Sequence, residues 1–271
     1  MDSPASAPPT PQTTAAAMLS PAPASRAKPP LQVPGGARLW LEGPAGRLSV
    51  LRAGQGPAVL LVHGWEGHAG DMAAFIPGLL EAGCSVVVPD LPAHGASDGE
   101  RASIPMAMSA LLAVQAVLGD FHAAIAHSIG CAVTVEAIAH GLRVERAVLI
   151  ASPARYTDHM RGIAAALGYD AAQTRELEAE LIKLGVDAAA LDVHRAAAAL
   201  RQPALLLHSA DDRVVPLRYS EELASIWPAA RLARLDGLGH RRILSAPEVV
   251  AAAVSFAADR RSAAAITENQ A

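Results

Sequence analysis

The feature that most limits the folds open to this chain is a series of short, unbroken apolar runs, each bounded by turn residues and followed by helical spacing. Ala58-Val59-Leu60-Leu61-Val62 comes first, then Ser85-Val86-Val87-Val88, Ala123 to Ala126, Ala147-Val148-Leu149-Ile150 and Ala204 to His208. A run apolar at every position, rather than at alternate ones, suits a strand covered on both faces, as in a parallel sheet. Helical patterns separate the runs: Asp71 to Ala82 with Gly83 as stop, Ser103 as a cap for a helix to about Leu118, and Val133 to His140 ended by Gly141. Ser220 to Ile226, a last strand from Arg231 to Leu235 and a closing helix from Pro247 to Arg260 complete the series. Upstream, Arg38 to Leu41 and Leu48 to Arg52 flank Gly43-Pro44-Ala45-Gly46, a turn cluster suited to an antiparallel hairpin at one edge.

These elements predict an α/β fold: a three-layer α/β/α sandwich around a mostly parallel sheet of about eight strands. Ligands of such sheets gather at the strands' carboxyl ends. Between Pro153 and Arg201 the alternation stops. Helical pieces replace it, with Leu177, Leu181 and Leu184 on one face, Gly185 as a stop and Asp187 as a fresh cap. This predicts a helical cap inserted over about 153–201 in a domain spanning 36–262. Residues 1–35 are Pro, Ala, Ser and Thr with few large apolar side chains, which predicts a disordered leader, and 263–271 read as a frayed tail. A secretory signal would want a positive start and an uninterrupted apolar core, whereas this chain begins Met1-Asp2 and proline recurs throughout its first 35 residues.

A net charge of −4 and a pI near 6.2 give no basic surface for nucleic acid. No apolar run approaches the roughly 18 residues of a membrane span. Cys84 and Cys131 lack metal or redox spacing and read as small buried residues in a reducing compartment, which predicts a cytoplasmic protein.

Ala126-His127-Ser128-Ile129-Gly130 joins one buried run directly to a helical pattern. A sharp strand-to-helix turn there would expose the Ser128 hydroxyl and aim backbone N–H groups at it, with Gly130 permitting the close approach. Ala126 stands where the G-x-S-x-G pattern has its first Gly. A serine hydroxyl needs a base, and that base needs an orienting acid. Asp211 and Asp212 follow the Ala204 strand and His240 follows the Arg231 strand, in the order Ser, Asp, His.

With His63-Gly64-Trp65, Asp90-Leu91-Pro92-Ala93-His94-Gly95-Ala96-Ser97, the Ser128 turn and the Asp212 and His240 loops, residues 38 to 260 resemble the α/β-hydrolase superfamily. The resemblance implies Ser128 as nucleophile, His240 as general base, Asp212 as orienting acid, and an oxyanion hole from the backbone N–H groups of Trp65 and Ile129. It also favours Asp212 over Asp211, because such families place the acid a few residues before a Val-Pro pair, here Val215-Pro216. His63 is expected to brace the oxyanion loop, and His94 and His127 to be structural.

His68, His122, His140, His159, His194 and His208 show no metal-ligand spacing, and no phosphate-binding glycine loop follows a strand, so no metal or other cofactor is expected. Aromatic residues make up only 3% of the chain, which favours an aliphatic or small acyl ligand over a stacking platform. The expected activity is that of a cofactor-free serine hydrolase, carboxylesterase-like, cleaving a carboxylic ester or related acyl compound, a small-molecule acyl substrate, through a Ser-His-Asp triad and an acyl-enzyme. The rival expectation is a small-ligand binding protein on the same scaffold with an idle serine.

Overall fold

The computed structural model describes residues 8–23 and 28–259. Among them, eight strands form one sheet in the order β1-β2-β4-β3-β5-β6-β7-β8. These are β1 (Ala37–Gly43), β2 (Gly46–Ala53), β3 (Ala58–Val62), β4 (Ser85–Pro89), β5 (Phe121–His127), β6 (Val144–Ile150), β7 (Ala204–Ser209) and β8 (Ala230–Leu235). β1 and β2 form the antiparallel hairpin expected at the edge, β2 runs antiparallel to β4, and the remaining neighbours are parallel.

The unbroken apolar runs have a simple cause. On β3, Leu60 and Val62 pack into the core on one face while Val59 and Leu61 pack into the core on the other. Ala124 and Ala126 against Ala123 and Ile125 repeat the division on β5, as Ala147 and Leu149 against Val148 and Ile150 do on β6. Each fully buried Val, Leu or Ile contributes roughly 1.5–3 kcal/mol of transfer free energy.

The helices are α1 (Pro11–Met18), α2 (Ile76–Glu81), α3 (Ile104–Leu118), α4 (Ile129–Ala139), α5 (Tyr156–Ala166), α6 (Ala171–Lys183), α7 (Val193–Ala198), α8 (Arg218–Ile226), α9 (Gly239–Arg242) and α10 (Pro247–Ala258). α3, α4 and α8 cover one face of the sheet, and α2 and α10 cover the other. α5, α6 and α7 fill the stretch between β6 and β7, where Leu177 and Leu181 are fully buried. None of the described helices is long and apolar enough to cross a membrane.

Several boundaries differ from the sequence reading. Asp71 to Ala82 is not one helix: a 3₁₀ segment, Ala69–Phe75, precedes α2. Pro77 lies at the start of α2, where its missing N–H is tolerated. Asp187 starts no helix; its carboxylate accepts from the N–H groups of Ala189 and Ala190 in a turn, and Asp192 caps α7 instead. α10 ends at Ala258, and the expected tail at 263–271 lies outside the described residues.

The largest correction concerns part of the expected leader, of which residues 1–7 and 24–27 lie outside the described residues. Residues 11–18 form α1 rather than disordered chain, opened by a reciprocal Thr10/Thr13 cap. A helix this short is marginal alone. Docking supplies what propensity does not: Ala15 and Leu19 enter the same buried cluster as Leu177 and Leu181. The Thr14 hydroxyl donates to the Tyr169 hydroxyl at 2.6 Å, which in turn donates to the Pro9 carbonyl at 2.9 Å.

Candidate active site

Parallel register assembles the site. Val62 pairs with Ala126, His127 with Ile150, Leu207 with Ile150, and Ser209 with Leu235. The chain leaving β3, β5, β7 and β8 therefore emerges along one rim of the sheet.

Ser128 occupies the turn between β5 and α4 with φ +52° and ψ −128°, a left-handed conformation that costs a non-glycine residue of order 1–3 kcal/mol. Its N–H donates to the Ile150 carbonyl at 2.9 Å, and its carbonyl accepts from Cys131 at 2.8 Å, so both sides of the turn are pinned. A Cβ at Gly130 would stand 2.5 Å from the His63 carbonyl oxygen and 2.8 Å from that of Val62. This contact requires glycine there. The neighbouring Ala126 is fully buried within β5, and its methyl is accommodated.

His240, on α9, bridges serine and carboxylate: its Nε2 lies 3.0 Å from Ser128 Oγ and its Nδ1 lies 2.7 Å from Asp212 Oδ2. Asp212 Oδ1 accepts from the N–H groups of Val214 at 2.8 Å and Val215 at 2.9 Å. Burial opposes ionisation of Asp212. Hydrogen bonds from His208, His240, Val215 and Val214 outweigh it and hold the carboxyl well below the usual carboxylate range. Asp211 turns elsewhere. Its Oδ1 accepts from the Ser209 hydroxyl and, at 2.9 Å, from the Gly239 N–H, bracing the loop that carries His240.

The N–H of Ile129 lies at the first position of α4, where no intrahelical acceptor exists. Trp65 follows Gly64, whose added Cβ would lie 3.1 Å from Ser128 Cβ, so the end of β3 is packed directly onto the serine turn. The Trp65 ring meets His94 edge-on at 5.1 Å. His63 ties two loops together, its Nε2 accepting from the Leu91 N–H at 3.0 Å and its Nδ1 donating to the Gly64 carbonyl at 2.7 Å. Burial lowers its pKa despite the opposing Gly64 bond and nearby carboxylates, which favours the neutral ring that these two bonds require. Asp90 organises the same region by accepting from Ala69 at 2.7 Å and Ala96 at 3.1 Å.

Two further histidines support the site, His208, which the sequence reading missed, and His127, which it expected to be structural. His208, at the end of β7, places Nε2 2.9 Å from the Val215 carbonyl and 3.5 Å from Asp212 Oδ2, while its Nδ1 meets the Ser220 hydroxyl at 2.7 Å. Its position four residues before Asp212 was the available signal. His127 donates from Nε2 to the His240 carbonyl at 2.9 Å, with the two rings 4.8 Å apart. Burial, then the neighbouring His240, push His127 down to about 4, so it is neutral near pH 7.

Two cavities meet at Ser128 and Trp65. One, of about 740 Å³, runs beneath α1, α5 and the loop before α7, with Ile129, Ala132, Tyr156, Ile163, Leu191 and Val193 on its walls. The other, of about 310 Å³, opens beside His240 and is lined by Gly67, Asp71, Arg241 and Ser245. Among the described residues, no cluster of three or more His, Cys, Asp or Glu side chains is arranged to hold a metal.

A family model described as the alpha/beta hydrolase family matches residues 59–253. A pimeloyl-[acyl-carrier protein] methyl ester esterase from Aromatoleum aromaticum is 28% identical, the alignment covering 71% of this chain and 94% of that protein. An esterase from Exiguobacterium antarcticum superimposes with a TM-score of 0.65 at 15% identity, covering 81% of this chain and 99% of that one. A 2-hydroxy-6-oxo-6-phenylhexa-2,4-dienoate hydrolase from Rhodococcus sp. strain RHA1 gives 0.60 at 23%, covering 80% and 97%. At such identities the two superpositions speak to the fold alone.

Proposed function

The chain belongs to the alpha/beta hydrolase family, and from that premise we propose that it is a serine hydrolase cleaving a carboxylic ester through an acyl-enzyme. The observation that carries the reading is the continuous hydrogen-bond path from Ser128 Oγ to His240 to Asp212, at 3.0 and 2.7 Å. With Nδ1–H donated to the carboxylate, His240 Nε2 is left with its lone pair facing the serine hydroxyl, as a general base requires.

Ser128 Oγ attacks the ester carbonyl as its proton passes to Nε2. The oxygen that becomes negative is taken up by the N–H groups of Ile129 and Trp65. When the tetrahedral adduct collapses, His240 returns the proton to the departing alcohol. Water activated by the same imidazole then releases the acid and restores the serine. The larger cavity, with its largely apolar walls, suits the acyl group, and the smaller, more polar one beside His240 suits a short alcohol. The esterase names of the relatives favour an ester over an amide.

Hydrolysis of p-nitrophenyl butyrate by wild type and Ser128→Ala tests this. Removal of the nucleophile should reduce turnover by several orders of magnitude and abolish labelling by a fluorophosphonate probe. Wild-type turnover in the alanine variant would refute the assignment, and a wild-type protein that binds acyl ligands yet takes no label would instead fit the binding-protein alternative.

A further inference from the structure

We propose that α1 is a wall of the acyl cavity and selects acyl groups by size, an inference that rests on the serine-hydrolase reading above. Thr13, Thr14, Ala17 and Met18 share one face of α1 by helical spacing, and all four line the 740 Å³ cavity together with Ser128. An adjacent face carries Ala15, which with Leu19 anchors the helix in the core beside α6. α1 is thereby held with one side committed to packing and one side presented to whatever occupies the cavity.

The segment spans the site. At one end the Thr14 and Tyr169 hydroxyls and the Pro9 carbonyl tie it to the chain just before α6. At the other, the Leu19 carbonyl accepts from the Ala102 N–H at 2.8 Å, and the Ala22 N–H donates to Glu66 Oε1 at 3.1 Å, next to Trp65. α1 lies outside residues 59–253, the part matched by the family model.

Cavity length is set on the other side by α4, where Ser128, Ile129, Ala132 and Glu136 form a stripe along the lining. Eight residues of helix rise carry Glu136 about 12 Å beyond Ser128. A medium-length acyl chain reaching along that stripe shares the cavity with the methyl of Ala17 and the thioether of Met18, whereas an acetyl group stays at the serine. Small side chains on α1 thus leave room that larger ones would remove.

Two full-length variants with opposite expectations test the proposal across p-nitrophenyl esters from acetate to laurate. Ala17→Trp should lower kcat/KM for decanoate at least tenfold more than it lowers kcat/KM for acetate. Met18→Ala should raise kcat/KM for laurate relative to acetate. A variant profile parallel to wild type at every chain length, with Ser128→Ala inactive, would overturn the role of α1 while leaving the hydrolase reading intact. Hydrogen exchange in the Ser128→Ala background gives a readout independent of catalysis: decanoate, not acetate, should slow exchange across residues 11–20. Equal exchange with and without decanoate would equally overturn the proposal.

Discussion

Replacing Asp212 by asparagine should disable the site without altering its shape, and the surrounding bonds say why. Oδ1 accepts from two backbone N–H groups, those of Val214 and Val215. Those donors require an acceptor, so the asparagine oxygen stays with them and the amide NH₂ takes the place of Oδ2, facing His240 Nδ1. An NH₂ can only donate. Nδ1 must then accept, the ring proton moves to Nε2, and Nε2 no longer has a lone pair for the Ser128 proton. Loss of the charge-assisted 2.7 Å bond accounts for about 1.5–3 kcal/mol, or one to two decades in rate. The inverted tautomer supplies the rest, for a total on the order of 10⁴-fold in kcat, equivalent to about 5.4 kcal/mol. The assay is steady-state hydrolysis of p-nitrophenyl butyrate between pH 5 and 9, with Asp211→Asn as the control. Asp211 braces Gly239 without touching the imidazole, so its variant should stay within tenfold of wild type. An Asp212→Asn enzyme within tenfold of wild type, or an Asp211→Asn enzyme as impaired as Asp212→Asn, would refute the reasoning. Stability carries a second signature. Because the native pKa of Asp212 is depressed, its ionised form stabilises the fold above the unfolded value of about 3.9, and that contribution is lost as pH falls through the native value. The stability difference between wild type and Asp212→Asn, measured by urea unfolding, should be largest near neutrality and shrink below about pH 4.

Gly130→Ala should destabilise the fold by about 1–3 kcal/mol, because its methyl would overlap the His63 and Val62 carbonyl oxygens; an unchanged urea midpoint would contradict that packing. His127→Phe keeps a ring beside His240 but removes the bond to its carbonyl, worth about 0.5–1.5 kcal/mol, so kcat should fall by up to about tenfold. Since His127 titrates near 4, the pH–rate profile above pH 5 should keep its midpoint, and a shifted midpoint would show His127 to be titrating in the working range.

Much of the fold was legible because its signals are local. A strand apolar at every position announces two covered faces, and in β3, β5 and β6 alternate residues do divide between the two cores. The Ser128 turn was legible for a similar reason, since strand, turn residues and helix are contiguous. The extent of helix before β4 was less so: periodicity does not distinguish a 3₁₀ turn from the first turn of an α-helix, and the break falls just before Pro77. Asp187 and Asp192 are equally good caps on paper, and only the packing of α7 selects the second.

Strand order along the chain, the placement of Ser128, Asp212 and His240 after successive strands, and the two-sided burial of the sheet were determined by the sequence itself, through short-range pattern and alternation. Which carboxylate of the Asp211-Asp212 pair meets the imidazole was favoured as Asp212 by the resemblance alone, and its physical cause lies in three dimensions, because adjacent residues in a turn point in different directions that depend on the donors waiting there. The same holds for α1: a Pro- and Ala-rich stretch lacks the apolar mass to order itself, and it becomes a helix only because Ala15 and Leu19 find a prepared apolar site beside α6. Local pattern selects the elements, whereas burial energy and hydrogen-bond satisfaction between distant segments select their partners.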